Sequence, residues 1–298
     1  MKRNTLKRLG ITVCTGMLTM TVLTACGEGN AATGNAIASN RTASTVAEAS
    51  VAESAEELAA PVAKVNSESD FMVNEEDGKI VLVVYQGEAS DVIIPSMIRG
   101  KEVFAIGKGC FANDEITSVV CPETLKEIRN EAFINCTELT DIQLNESLEL
   151  IGKHIIANTG VEKLVLPESI TTVSDSALAG AKLTEVNIPL SITEIPEGML
   201  CTNDFKTFTV PSHVKTIAEQ AFTTCGEMES LIIEEGVEVI GEKAFNNCDA
   251  LKSVVIPASV TEIGYINKRT TDHIVFTVVA GSYAEQYMQE KGYNYVTQ

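Results

Sequence analysis

Ile217-Ala218-Glu219-Gln220-Ala221-Phe222-Thr223-Thr224-Cys225 is followed 23 residues later by Ile240-Gly241-Glu242-Lys243-Ala244-Phe245-Asn246-Asn247-Cys248. An Ile, an Ala-Phe pair and a Cys keep their spacing in both stretches. Ala132-Phe133 with Cys136, and Ala177-Leu178, repeat the middle landmark upstream. Apolar-x-x-apolar-x-apolar frames run alongside: Ile116-Val119-Cys121, Leu139-Ile142-Leu144, Val161-Leu164-Leu166, Leu183-Val186-Ile188, Phe205-Phe208-Val210, Met228-Leu231-Ile233 and Leu251-Val254-Ile256. The frames close on Pro122, Asn145, Pro167, Pro189, Pro211, Glu234 and Pro257, at intervals of 23, 22, 22, 22, 23 and 23 residues. After each comes a second apolar pair, such as Leu125/Ile128, Ile170/Val173 or Val237/Ile240. An apolar-x-apolar triplet is a short strand with alternate residues inward, and proline ends it because it has no N–H for the ladder. One such unit cannot enclose its own apolar face, so successive units stack as the coils of a solenoid. The pattern predicts a β-rich solenoid with a parallel sheet. Departures occur at His154-Ile155-Ile156 and Gly198-Met199-Leu200, where Ala-Phe is expected.

Composition narrows the function classes. The 298 residues carry 41 acidic and 22 basic side chains, a net charge of −19. Nucleic-acid binding needs clustered Lys and Arg to neutralise phosphates, so this balance argues against it. The absence of Trp and an aromatic content of 5% argue against stacking platforms for sugars or bases. None of the eight cysteines forms a CxxC pair, so no zinc ribbon or thioredoxin-like motif is indicated.

The quoted repeats, with the Ile-Pro ends of their strand frames, resemble the BspA-type leucine-rich repeats of bacterial surface proteins. The resemblance runs from about Phe71 to Val296. Asp77-Gly78-Lys79-Ile80 with Val92-Ile93-Ile94-Pro95 is similar to the opening of such arrays, and Gly281-Ser282-Tyr283-Ala284-Glu285-Gln286-Tyr287 to their end. The expected fold is a leucine-rich-repeat array of 22–23-residue coils over residues 105–264, with an N-terminal β cap over 67–104 and a C-terminal helical cap over 265–298. In the latter, Ser282 and Glu285 fit a capping box and Gly292 the end of its helix.

Ahead of the array lie two further segments. Lys2, Arg3, Lys7 and Arg8 precede an apolar run from Leu9 to Leu23 that is too short to favour a spanning helix. Leu23-Thr24-Ala25-Cys26 resembles the lipobox of bacterial lipoproteins, which implies a signal peptide over 1–25 and a lipid anchor on Cys26. An ordinary secretory signal is the alternative. Removing residues 1–25 takes away four basic side chains and no acidic ones, lowering −19 by four to −23. In residues 27–66, 12 of 40 are Ala and none is aromatic. Such a stretch buries too little apolar surface to offset its ordering entropy. Residues 26–66 therefore read as a lipid-anchored flexible linker.

Chemistry is sparse. His154, His213 and His273 fall in different coils at different repeat positions, and no nucleophile elbow, HExxH or phosphate loop is present. The chain reads as a non-enzyme with no cofactor and no metal site. Cys136, Cys225 and Cys248 share one repeat position, and only Cys225 and Cys248 stand in adjacent coils, close enough for a disulfide. Small buried thiols are the favoured reading. Cys110 and Cys121 read as core substitutions. Glu123, Glu146 and Glu168 form a column that could gather a divalent cation, though a solvated acidic edge fits better.

Outward strand positions are the candidate recognition strip, because the core does not dictate their identity. In chain order they are Ser118 and Val120, Asp141 and Gln143, Lys163 and Val165, Glu185 and Asn187, Thr207 and Thr209, Ser230 and Ile232, and Ser253 and Val255. Val120, Val165, Ile232 and Val255 are apolar where solvent is expected; this marks either an interaction patch or β propensity. Interface hot spots favour Trp, Tyr and Arg, none of which the strip contains, so weak or multivalent binding is expected. The resemblance implies a lipoprotein on the extracellular face of the bacterial cell membrane, binding a protein ligand on host or neighbouring bacterial surfaces. A structural envelope spacer without a specific ligand is the alternative.

Overall fold

The computed structural model describes residues 64–298; the signal segment, Cys26 and all but the last three residues of the linker range lie outside the described residues. Residues 64–298 form a β-solenoid of about nine coils with about 23 residues per turn. Each coil runs through a leading strand, a corner, a two-residue trailing strand and a turn. The leading strands include Ser118–Val120, Asp141–Gln143, Lys163–Leu164, Glu185–Val186, Thr207–Val210, Ser230–Ile233 and Ser253–Ile256. Trailing strands include Glu127–Ile128, Leu150–Ile151, Thr172–Val173, Glu194–Ile195, Thr216–Ile217 and Val239–Ile240. Coil-to-coil pairing is parallel, in the register the repeat demands: Thr207 faces Ser230, and Ser230 faces Ser253.

The core is one continuous column. Inward frame residues such as Val119, Leu164, Leu231 and Val254 are buried, and Ala132-Phe133, Ala221-Phe222 and Ala244-Phe245 close the coil from the other side. Phe111 and Phe133 stack with ring centroids 5.1 Å apart, and Phe208 and Phe222 meet at 5.0 Å. At the two departures from the repeat, Ile155-Ile156 and Met199-Leu200 fill the same space and are buried. Apolar volume, not the aromatic ring, is what that position requires.

The third side of each coil is a turn built on left-handed backbone. Asn113, Asn135, Asn158, Gly180, Thr202, Thr224 and Asn247 all have φ between 56° and 72°. Asn and Gly tolerate this region best, which explains their recurrence two residues after the core Phe or its substitute. The turns form their own ladder. Phe133 N–H donates to Ile155 O at 2.9 Å, Phe222 N–H to Ala244 O at 2.7 Å, and the pattern persists through Leu178 to Met199 O at 3.1 Å.

The parallel sheet is not continuous, contrary to the simplest stacking picture. On the leading face the ladder stops between Asp141–Gln143 and Lys163–Leu164, and again between Glu185–Val186 and Thr207–Val210. On the trailing face it stops between Thr172–Val173 and Glu194–Ile195. All three gaps fall within the run of 22-residue intervals.

The ends differ from the repeats. Phe71–Glu76 pairs antiparallel with Lys79–Tyr85 through Asp77-Gly78, whose φ values of 50° and 78° suit a tight hairpin. Asn66, inside the range read as linker, donates its N–H to Ile93 O and accepts from Ile93 N–H through Oδ1. At the other end, helix Tyr283–Lys291 begins with Ser282 accepting from Glu285 N–H and ends at Gly292 with φ 71°. Ser282 and Gly292 hold the helix ends expected of them, but Glu285 Oε2 accepts from Gly281 N–H and Ser282 N–H donates to Val279 O, so the capping box does not close.

Candidate functional site

All fourteen strip residues point out of the solenoid, each half-buried or exposed, while the residues between them face the core. Strand alternation alone places them there. Their side chains are less free than their positions imply. Ser118 Oγ donates to Asp91 at 2.9 Å, and Gln143 Nε2 to Asp141 at 3.1 Å. Lys163 Nζ lies 2.9 Å from Glu185, and that carboxylate's hydrogen bond holds the Lys163 ammonium above its usual range. Ser253 Oγ donates to Ser230 Oγ at 3.1 Å. Asn187 departs most from a free outward group. Its Oδ1 accepts from Leu166 N–H at 2.7 Å while its Nδ2 donates to Leu166 O at 2.8 Å, so the side chain replaces a backbone rung.

Register sorts the apolar members into two patches and a singleton. Ile93 faces Val120 near the start. Ile232 faces Val255, Val255 faces Thr277, and Thr277 faces the exposed Val296. On its other side Ile232 faces Thr209, which is exposed like Thr207 two residues before it, so the apolar run ends at Thr209. Val165 stands alone and is 78% exposed, the most exposed large hydrophobic described. Beneath it a groove of about 140 Å³ is lined by Lys163, Leu164, Val165, Glu185, Val186 and Asn187. Asp91, Ile93, Thr277 and Val296 extend the strip beyond the repeat frames. The same outward spacing carried one strand further upstream and two further downstream would have found them.

Among the described residues the three histidines stand apart. The half-buried His213 places Nε2 3.1 Å from Pro189 O, and His154 and His273 belong to other coils. Among the described residues no three His, Cys, Asp or Glu side chains gather as a metal site. In the acidic column, Glu168 is committed to accepting from Leu190 N–H at 2.8 Å.

The described cysteines are all free. Cys136, Cys225 and Cys248 donate to carbonyls of the preceding coil: Phe111 O at 2.8 Å, Leu200 O at 3.2 Å and Phe222 O at 3.2 Å. Burial pushes the Cys136 thiol up to about 11 and the Cys121 thiol up to about 12. Cys225 is also raised, by its hydrogen bond with Cys248 first and by burial second. In two other coils Thr159 and Asn203 occupy this position, both buried. Thr159 donates to Ile156 O at 2.8 Å, and Asn203 to Leu178 O at 3.0 Å. In a further coil Ala181 holds it without any donor, so the position asks for a small buried side chain rather than for sulfur chemistry.

A search of curated proteins finds no match to this sequence. Among solved structures, similarity extends to a leucine-rich-repeat protein of T. pallidum, at 18% identity and TM-score 0.49 over 78% of this chain and 98% of that one. A leucine-rich cell-surface protein of Faecalibacterium prausnitzii A2-165 aligns at 21% identity and TM-score 0.46 over 72% and 76%. The pneumococcal vaccine antigen PcpA aligns at 13% and 0.40 over 76% and 96%. The family described as BspA type leucine rich repeat region matches six copies, over residues 104–227 and 215–267. With more than half of its length matched and its coils stacked in that repeat, the chain belongs to the BspA-type leucine-rich-repeat family.

Proposed function

We propose that this protein is a non-enzymatic display module: a lipoprotein anchored through Cys26 on the extracellular face of a bacterial membrane, whose array binds a protein on a host or neighbouring bacterial surface. The observation that carries the reading is the outward strip. Its side chains lie outside the core, and Val165 and the Ile232/Val255 pair present apolar surface that packing does not require. The family, whose members are associated with surface-protein binding, supports the same reading. The strip lacks Trp, Tyr and Arg, so the binding is weak at each site and gains strength from several sites engaged together.

A spacer without a ligand is the second reading. It is favoured by the way strip residues satisfy one another, as in Lys163–Glu185 and Ser230–Ser253. Two measurements separate the readings. Residues 27–298 on a bead, exposed to surface-labelled cells, should retain a protein that a Lys163→Glu/Val165→Ser/Ile232→Ser variant retains at least tenfold less. Equal retention, or none by the native chain, favours the spacer. Independently, Cys26→Ser should move the protein from the membrane fraction to the soluble one; unchanged partition excludes the lipid anchor.

A further inference from the structure

The trailing ladder is closed in coil after coil by one particular N–H. Gly152 donates to Ile128 O at 2.8 Å, Ser174 to Ile151 O at 3.0 Å, Ala218 to Ile195 O at 3.0 Å and Gly241 to Ile217 O at 2.7 Å. In the coil between Ser174 and Ala218 that position is Pro196, which has no N–H to offer Val173 O. The next contact upstream is missing too. Lys215 N–H reaches Thr193 O and Thr171 N–H reaches Glu149 O, but Thr193 N–H makes no bond to Thr171 O. The sheet parts here, and an open cleft of about 360 Å³ lies between Thr171–Val173 and Ser191–Glu194.

The neighbouring steps are weakened on the opposite face. From Asp141–Gln143 to Lys163–Leu164, and from Glu185–Val186 to Thr207–Val210, the leading ladder is missing while the trailing one holds. Three consecutive steps thus lose leading, trailing and leading rungs in turn. The turn side is unbroken throughout: His154 N–H donates to Ser176 O, Ser176 N–H to Glu197 O and Gly198 N–H to Glu219 O, at 3.0, 2.8 and 3.1 Å. The aromatic column lapses over the same coils, where Ile156, Leu178 and Leu200 replace Phe.

We propose that the array is jointed: the step from Thr172–Val173 to Glu194–Ile195, opened by Pro196, is where adjacent coils part most readily, with the continuous turn ladder as the hinge leaf. In a solenoid each coil contacts only its neighbours, so a step lacking one ladder opens at lower free energy than the steps that keep both. At this one Pro196 also removes the closing donor, and an open cleft already separates the strands. The joint lies under Lys163, Val165, Glu185 and Asn187, so the middle of the outward strip can change curvature while its ends stay rigid. The inference stands on backbone geometry and does not depend on the proposed ligand.

Hydrogen exchange on the full chain tests it. Amides of residues 191–195 should exchange at least 100-fold faster than those of the equivalent stretches 213–217 and 236–240. Pro196→Ala restores the donor and should slow exchange at 191–195 at least tenfold. Pro211→Ala, at a leading-strand corner, should leave 191–195 unchanged. Equal protection of the three stretches in the native chain overturns the proposal, as does a folded Pro196→Ala protein with unaltered exchange at 191–195. If Pro196→Ala fails to fold, the comparison within the native chain still decides.

Discussion

Asn145 shows how one residue can stand in for another by different chemistry. It holds a corner where most coils have proline, and it is 4% exposed. Its Nδ2 donates to Pro122 O at 2.6 Å and Leu125 O at 3.1 Å, while Oδ1 accepts from Ser147 N–H at 2.7 Å. Proline stops the strand by lacking a donor; Asn145 stops it by tying the corner to the previous coil. Asn145→Leu leaves those buried groups unpaired and should cost about 1–3 kcal/mol in denaturant unfolding. Phe222→Ala empties a fully buried position and should cost about 3–5 kcal/mol by the same measurement. The buried Cys121 and Cys136 thiols add a pH dependence. Their folded ionisation lies above that of the unfolded chain, so their contribution is intact below pH 9 and lost as pH rises through about 11 to 12. The denaturation midpoint should therefore fall between pH 9 and 11, and less so in Cys136→Ala. A midpoint flat over that range would contradict the assignment of Cys136 as a buried thiol.

At the scale of the element, what matters is how a strand or turn meets its copy one coil away. Asn158 Nδ2 donates to Asn135 Oδ1 and Asn135 Nδ2 to Asn113 Oδ1, both at 3.1 Å, so three left-handed turns share an amide ladder. Asn135→Val removes both bonds and puts a β-branched residue at φ 62°. It should destabilise the array by about 1–3 kcal/mol, whereas Asn135→Gly should lose only a fraction of that. Calorimetry on the two variants distinguishes backbone conformation from the side-chain ladder. These turns were hidden in the sequence although their signal was present. Asn or Gly recurs two residues after Phe111, Phe133, Ile156, Leu178 and Phe245. Apolar periodicity ignores it, because periodicity reports which side chains face the core and not which φ the chain adopts. The strands were legible for the converse reason: inward alternation is a demand on side-chain type. Pro196 is not legible as a break in the sequence, because a proline in the trailing register is not part of the strand-closing series. Its effect appears only once the N–H donors are counted along the ladder.

Across the whole molecule, 22 basic and 41 acidic residues are not scattered independently. Lys126–Glu149, Lys153–Asp175, Lys163–Glu185, Lys206–Glu227, Lys215–Glu238 and Lys252–Glu229 each bridge one coil to the next. Exposed pairs of this kind, screened by solvent, contribute little to stability. Their main effect is on the surface: with these six lysines paired, the remaining carboxylates outnumber the remaining cations and set its sign. A partner carrying positive charge around an apolar centre fits it, and retention of that partner should fall as salt rises from 0.05 to 0.5 M by roughly tenfold or more. The solenoid itself was legible from Phe71 onward. The strip was legible as a set of positions, but the Asn187 rung, the end of the apolar run at Thr209 and the separation of Val165 from the Ile232/Val255 patch depend on contacts between coils. The most direct test of the strip as a binding face is site-specific photo-cross-linking on intact cells. A photoreactive residue at Val165 or Ile232 should capture one and the same protein, while one at Thr172 or Thr216 on the trailing face should capture none. Equal capture from both faces, or none from the strip, would contradict the account.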